Sequence, residues 1–225
     1  MPDSNWIVIT GAPCSGKSTV ITYLKDCGFN VNHEVAQGYI DEQQAEGIEK
    51  PWEDKEKFQK AILTRQRTVE DALVTQGKSN KTIFFDRGIP DAIAYFSYFG
   101  VADDKIPDSV LVTKYKHVFI FDKPKSDVRH GVDGDDPERL VQLIKNEYKR
   151  HKCKIHIVPV MPVEQRAAFV LRAAGLKAQV KKLETKNLPS SGALLPLYKS
   201  GYYLRKTKPQ NYSDTKPRTR SRKAI

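Results

Sequence analysis

Five short apolar runs punctuate the chain, and the stretches between them carry apolar residues at helical spacing. The runs are Trp6-Ile7-Val8-Ile9-Thr10, the weaker Phe29-Asn30-Val31-Asn32-His33, Thr82-Ile83-Phe84-Phe85-Asp86, His117-Val118-Phe119-Ile120-Phe121 and Lys154-Ile155-His156-Ile157-Val158-Pro159-Val160. Short, β-branched or aromatic and bounded by polar residues, they read as buried strands. Ser18–Asp26 places Val20, Ile21 and Leu24 on one helical face, and Glu34–Ala45 also reads as helix. Pro51-Trp52-Glu53-Asp54 opens a long helix carrying Phe58, Ile62, Leu63, Val69 and Leu73. Gln59 and Gln66, seven apart on that helix, read as solvated. Gly88-Ile89-Pro90-Asp91 opens the next helix, Pro137 another with Leu140, Leu143, Ile144 and Tyr148 inward, and Pro162–Leu171 a last one. Residues 99–116 form a punctuated connection, with a short helix expected from Asp108. His156 alternates with apolar residues and reads as a strand-face histidine. Strand and helix in alternation predict an α/β architecture: a parallel five-stranded sheet wrapped by helices on both faces. No self-similar period marks a repeat protein.

Between the first strand and the first helix lies Gly11-Ala12-Pro13-Cys14-Ser15-Gly16-Lys17-Ser18-Thr19, which fits G-x-x-x-x-G-K-[ST] at every fixed position. Gly11 and Gly16 tolerate backbone angles closed to other residues, so the loop can curl with its N–H groups inward. Those donors and the helix N-terminus seat a β-phosphate. Lys17 is expected to reach the β- and γ-phosphates and Ser18 to bind Mg²⁺. Strand, loop and helix stand in the order a phosphate-binding P-loop needs, so the chain is expected to bind a nucleoside triphosphate.

Asp86 ends a buried strand, the Walker B pattern of a Mg²⁺-holding carboxylate. Arg87 follows it where motor ATPases commonly carry glutamate, and an Asp-Arg pair suits a phosphotransferase that clamps phosphate. Glu34 sits at the C-terminal end of the second strand, where α/β sheets place ligands. It reads either as a general base or as a carboxylate placed at a helix start by the dipole. Asp91 either caps its helix or faces substrate. The polar stretch 122–136 has the look of a kinase-like lid, with Arg129 and Arg139 either reaching transferred phosphate or solvated. No N/T-K-x-D guanine-reading element is present, so ATP with Mg²⁺ is the expected nucleotide.

Composition changes the picture at the C-terminus. The 225 residues carry a net charge of +11. From Arg172 onward there are 14 Lys/Arg against 2 Asp/Glu, leaving 24 basic and 25 acidic residues before it. A domain over 1–174 and a basic, partly disordered extension over 175–225 are therefore expected. Lys181-Lys182, Arg205-Lys206 and Arg218–Lys223 interleave with Tyr198, Tyr202, Tyr203 and Tyr212. That mixture suits nucleic acid or an anionic membrane surface, or a solubilising tail. Ala193–Tyr198 is a segment able to dock back on the domain. Cys14, Cys27 and Cys153 form no disulfide or zinc pattern. With no apolar run near ~20 residues and no secretory signal, a cytoplasmic location is expected. Cys14 is either an oxidation-sensitive thiol or a small residue tolerated in the loop.

Gly11–Thr19, Glu34, Phe84–Ala92 and Val158–Arg166 together resemble the NadR-type AAA/P-loop family, which includes nicotinamide-riboside kinase domains. The resemblance spans roughly residues 5–172, and its most specific part is Asp86-Arg87-Gly88-Ile89-Pro90-Asp91. It implies a nucleoside- or nucleotide-kinase-like domain. The expected reaction is transfer of the γ-phosphoryl of ATP to a small-molecule acceptor, with Lys17, Glu34, Asp86, Arg87 and Arg139 as catalytic candidates; a nucleotide-dependent switch is the alternative. An arginine common three residues after the glutamate is replaced here by Gln37, so a contact to an acceptor phosphate is lost or the acceptor differs.

Overall fold

The computed structural model describes residues 4–101, 115–124 and 136–176. Its elements run β1 (Ile7–Gly11), α1 (Lys17–Asp26), β2 (Val31–Asn32), α2 (Val35–Ala45), α3 (Lys55–Thr75), a 3₁₀ turn (Lys78–Asn80), β3 (Phe84–Asp86), α4 (Ile89–Tyr98), β4 (His117–Phe121), α5 (Pro137–Arg150), β5 (Ile155–Val158) and α6 (Val163–Ala173). All five strands are parallel, in the order β2-β3-β1-β4-β5. The second and third strands are shorter than their apolar runs, whereas β4 matches its run residue for residue.

Alternation along the strands feeds two cores. Ile7, Ile9, Phe84 and Phe119 pack with Val20, Ile21 and Leu24 of α1 and with Ala167, Val170 and Leu171 of α6. Trp6, Val8, Phe85, Val118 and Ile120 face Leu63 of α3, Phe96 of α4 and Leu140, Ile144 and Tyr148 of α5. Both faces of the sheet are thus covered, and the central strand β1 is buried throughout. A smaller cluster joins α2 to α3 through Ala36, Tyr39, Ile40 and Phe58.

One reading of α3 is corrected. Gln59 and Gln66 are buried, on a face they share with Leu63 and Glu70. Gln66 Nε2 donates to Glu70 Oε1 at 2.9 Å, and the Tyr115 hydroxyl donates to the same oxygen at 2.6 Å. This polar network beneath α4 takes the inward positions expected for Ile62 and Val69, which are only half-buried. His156 is the strand-face residue expected: it stacks on Phe119, and its Nε2 lies 3.1 Å from His117 Nδ1.

The order of strands positions the site. β1 lies between β3 and β4, with the connection after β1 running to the β2 side and the one after β3 crossing to β4, and ligands of such sheets bind at the C-terminal ends where this divergence opens a crevice. Ile9 pairs with Asp86 and Gly11 with Phe121, so the glycine-rich loop emerges between the ends of β3 and β4. The short helix expected from Asp108, Arg129 with most of the lid segment, and the tail beyond Leu176 lie outside the described residues.

Candidate active site

The loop between β1 and α1 closes around two glycines with enforced roles. Gly11 has φ +133°, and a Cβ there would sit 2.7 Å from the Phe121 carbonyl oxygen. Gly16, at φ +87°, precedes α1 with no side-chain cap, leaving the first N–H groups of the helix free for an anion. Ala12 and Ser15 are buried, Pro13 is half-buried, and Cys14, Ser18 and Thr19 are exposed. Lys17 is 5% exposed and donates from Nζ to the Ala12 carbonyl at 2.8 Å, curling back over the loop. Burial, with the nearby Arg87 charge second, lowers its pKa to about 8.

Across the crevice, Ser18 Oγ donates to Asp86 Oδ2 at 3.1 Å. Asp86 Oδ1 is buried without a partner. Burial, followed by the Glu34 charge, raises this carboxyl to about 6. Attraction between Lys17 and Asp86 would push both values the other way, so desolvation dominates for each. An orphaned buried carboxylate oxygen beside a serine hydroxyl fits Mg²⁺, which takes one or two protein oxygens and completes its shell with water and phosphate. Among the described residues no group of three or more His, Cys, Asp or Glu side chains is gathered as a metal cage.

Arg87, next to Asp86 in sequence, reaches the next carboxylate. Its Nε donates to Glu34 Oε1 at 2.9 Å and its Nη1 to the Gly11 carbonyl at 3.3 Å, with Asp91 Oδ1 at 3.4 Å. Burial opposes the Arg87 charge most, yet Tyr95, Glu34, Asp91 and Asp86 together hold its pKa well above the ordinary arginine value. Its guanidinium also lies over the Tyr95 ring, 5.4 Å from the centroid. Glu34 stands at the N-cap of α2 but makes no side-chain capping bond. Its carboxylate turns to Arg87, and its side chain stays 36% exposed at the mouth of the crevice.

Asp91 caps α4 and does more. Its Oδ2 accepts from the Gly88 N–H at 3.0 Å and from the Tyr148 hydroxyl at 2.5 Å, and its Oδ1 accepts from Thr10 Oγ1. It is 1% exposed, with both oxygens engaged. The structure gathers Lys17, Ser18, Glu34, Asp86 and Arg87 into one site. Arg139 is not brought into it: its guanidinium meets the Tyr98 and Ser97 carbonyls at 3.4 and 3.5 Å, at the far end of α4 from Asp91.

Sequence reasoning passed over Arg166 except as part of a motif. It is 4% exposed and ties three backbone oxygens together: Ser15 in the loop, Asp122 after β4 at 3.0 Å and Pro159 after β5 at 3.1 Å. Its signal was an arginine on the apolar face of α6, one residue before Ala167.

A P-loop between strand and helix, a strand-end aspartate and a 2-3-1-4-5 parallel sheet define a P-loop NTPase of the kinase-like class. The chain belongs to the AAA domain family, whose model matches residues 6–166. The model does not single out the NadR-type members. No curated protein matches the chain. Among solved structures it is similar to a deoxyadenosine kinase from M. mycoides, with products dCMP and a flexible dCDP bound: TM-score 0.51, 16% identity, 76% of this chain and 98% of that one covered. It is also similar to a thymidylate kinase from Candida albicans, with TM-score 0.46, 15% identity and coverage of 79% and 94%. At 16% identity the likeness to the deoxyadenosine kinase is one of fold.

Proposed function

We propose that this protein is an ATP- and Mg²⁺-dependent small-molecule kinase that phosphorylates a hydroxyl of a nucleoside-like acceptor. The observation that carries this reading is the Glu34–Arg87 pair, set directly beside the Ser18–Asp86 cation site. A carboxylate open to solvent and an arginine against the start of the phosphate loop are what an acceptor hydroxyl and a transferring phosphoryl group each require.

In this mechanism the loop N–H groups and Lys17 bind the β- and γ-phosphates. Ser18 and Asp86 would hold Mg²⁺, which would neutralise phosphate charge when bound. Arg87 stabilises the charge that grows on the transferring group. Glu34, with Oε1 held by Arg87, keeps Oε2 to take the acceptor's proton. The bond from the γ-phosphorus to the acceptor oxygen forms as the bond to the β–γ bridging oxygen breaks, and ADP leaves.

The NadR-type resemblance and the name of the deoxyadenosine kinase neighbour both support a nucleoside as acceptor. Gln37 supports an unphosphorylated one: its amide pairs with Asp41 on its own helix at 2.7 Å, and no arginine replaces it there to grip a second phosphate. No helix among the described residues is long and apolar enough to cross a membrane. The test is phosphorylated product formed from ATP across a panel of nucleosides and nucleotides. Product with a nucleoside is the expected outcome. Tight ATP binding with slow hydrolysis, whatever acceptor is added, would overturn the reading in favour of a nucleotide-dependent switch.

A further inference from the structure

Arg87 is a non-glycine residue at φ +68°. Side chains tolerate that region poorly, and such a residue persists only where its surroundings over-determine it. Here they do. The Arg87 N–H donates to the Ile9 carbonyl at 3.1 Å, the Gly88 N–H to Asp91, and the Ile89 N–H to the Tyr115 hydroxyl at 3.0 Å. Gly88 permits this crowding: a Cβ on it would lie 2.6 Å from the Tyr115 hydroxyl and 3.0 Å from that of Tyr148. Capping α4 requires of Asp91 only the bond to Gly88. Its remaining bonds serve something else, because they run to Thr10 at the root of the phosphate loop, to Arg87 and to Tyr148 on α5.

We propose that Asp91, locked by the Tyr148 hydroxyl and by Thr10, is the positioning residue that aims Arg87 at the transferring phosphoryl group. Tyr148 and Asp91 are both fully buried, so neither touches substrate. Tyr148 fixes the carboxylate, the carboxylate orients the Arg87 guanidinium from beneath, and Glu34 holds it from the side. Arg87 Nη2 has no partner among the described residues and is the nitrogen this arrangement leaves for phosphate. The assignment of phosphate as its target rests on the kinase reading; the orientation of Arg87 by Asp91 and Tyr148 does not.

The full-length protein carrying Tyr148→Phe tests this, since the ring and its packing are kept and the hydroxyl alone is lost. The first readout is the Arg87 Nε–H resonance, assigned by its disappearance in Arg87→Lys. In the parent protein it should be shifted and slow to exchange through its bond to Glu34. In Tyr148→Phe it should move toward the solvent position and exchange about tenfold faster, the scale of one lost hydrogen bond to a charged group. The second readout is turnover: kcat should fall about tenfold with KM for ATP changed less than twofold, and the loss should vanish in an Arg87→Ala background. Asp91→Asn, nearly isosteric, should reproduce both effects and serves where Tyr148→Phe does not fold. An Arg87 resonance unmoved in Tyr148→Phe and Asp91→Asn, or turnover losses that multiply with Arg87→Ala, would overturn the proposal. A moved resonance in a protein that phosphorylates no acceptor would instead overturn the kinase reading and leave the positioning role standing.

Discussion

Ser18 Oγ and Asp86 Oδ2 stand 3.1 Å apart across 68 positions of sequence, while the second oxygen of Asp86 is buried with no partner. The fold keeps this carboxylate at a cost: burial raises its pKa to about 6. A carboxyl whose pKa is raised by folding stabilises the fold when protonated. Its contribution is therefore full below about pH 4 and is lost as pH rises through 6, a difference on the order of 2–3 kcal/mol. Asp86→Asn should accordingly raise the thermal stability of the nucleotide-free protein at pH 7 while abolishing Mg²⁺-dependent ATP binding. In the parent protein Mg²⁺–ATP affinity should fall about tenfold per pH unit below pH 6. Calorimetric melting with nucleotide titrations between pH 5 and 8 checks both.

Lys17 carries the opposite proton balance. Burial lowers its pKa to about 8, so folding disfavours its charged form, and the penalty disappears as pH rises through 8 toward the unfolded value. Phosphates opposite Nζ restore the charge. ATP binding should therefore take up a proton near pH 8.5, and affinity should decline as pH climbs above 8. Titration calorimetry in two buffers of different ionisation enthalpy measures the uptake; Lys17→Met should bind ATP at least tenfold more weakly with no proton uptake.

Under the proposed function Arg87 acts on the reaction more than on binding. Arg87→Lys retains a charge but loses both the Nε bond to Glu34 and the planar fork. A kcat loss of about 10³-fold, with KM for ATP within a few-fold of the parent, is expected from the scale of phosphate-clamping arginines. Steady-state kinetics with the identified acceptor decide this, and an unchanged kcat would remove Arg87 from the mechanism.

Arg166 should show the reverse pattern. Arg166→Met keeps much of the side chain's apolar bulk but strips the partners from the carbonyls of Ser15, Asp122 and Pro159. The phosphate loop should loosen, weakening ATP about tenfold with a smaller change in kcat. Equilibrium binding of ATP in Mg²⁺ buffer provides the check.

The parts of the site that read clearly from sequence are those whose spacing the phosphates dictate. Gly11, Gly16, Lys17 and Ser18 are consecutive or nearly so, and Asp86 announces itself at the end of an apolar run. Contacts made only by folding were less visible. Gln66 of α3 resembles a surface residue until Glu70 and Tyr115 close a hydrogen-bonded network with it. Arg139 resembles a phosphate ligand until the crossing of α4 and α5 carries it to the Tyr98 carbonyl. Asp91 looked like a choice between cap and ligand because nothing local marks Thr10 or Tyr148 as its partners. The NadR-like motif pointed to the right stretch for Arg166, but the three carbonyls it joins belong to the phosphate loop and to the ends of β4 and β5.

That junction bears on how the protein is made. The phosphate loop is complete once the first 19 residues are synthesised and Asp86 follows, but the clasp on Ser15 arrives only with residue 166. At ribosomal speeds of about 5–20 residues per second, roughly 7–30 s pass between the two. During that interval the nascent chain carries every residue of the loop without the arginine that braces it. The brace on the loop therefore forms only when α6 has emerged and docked, and under the proposed function tight nucleotide capture waits for that step.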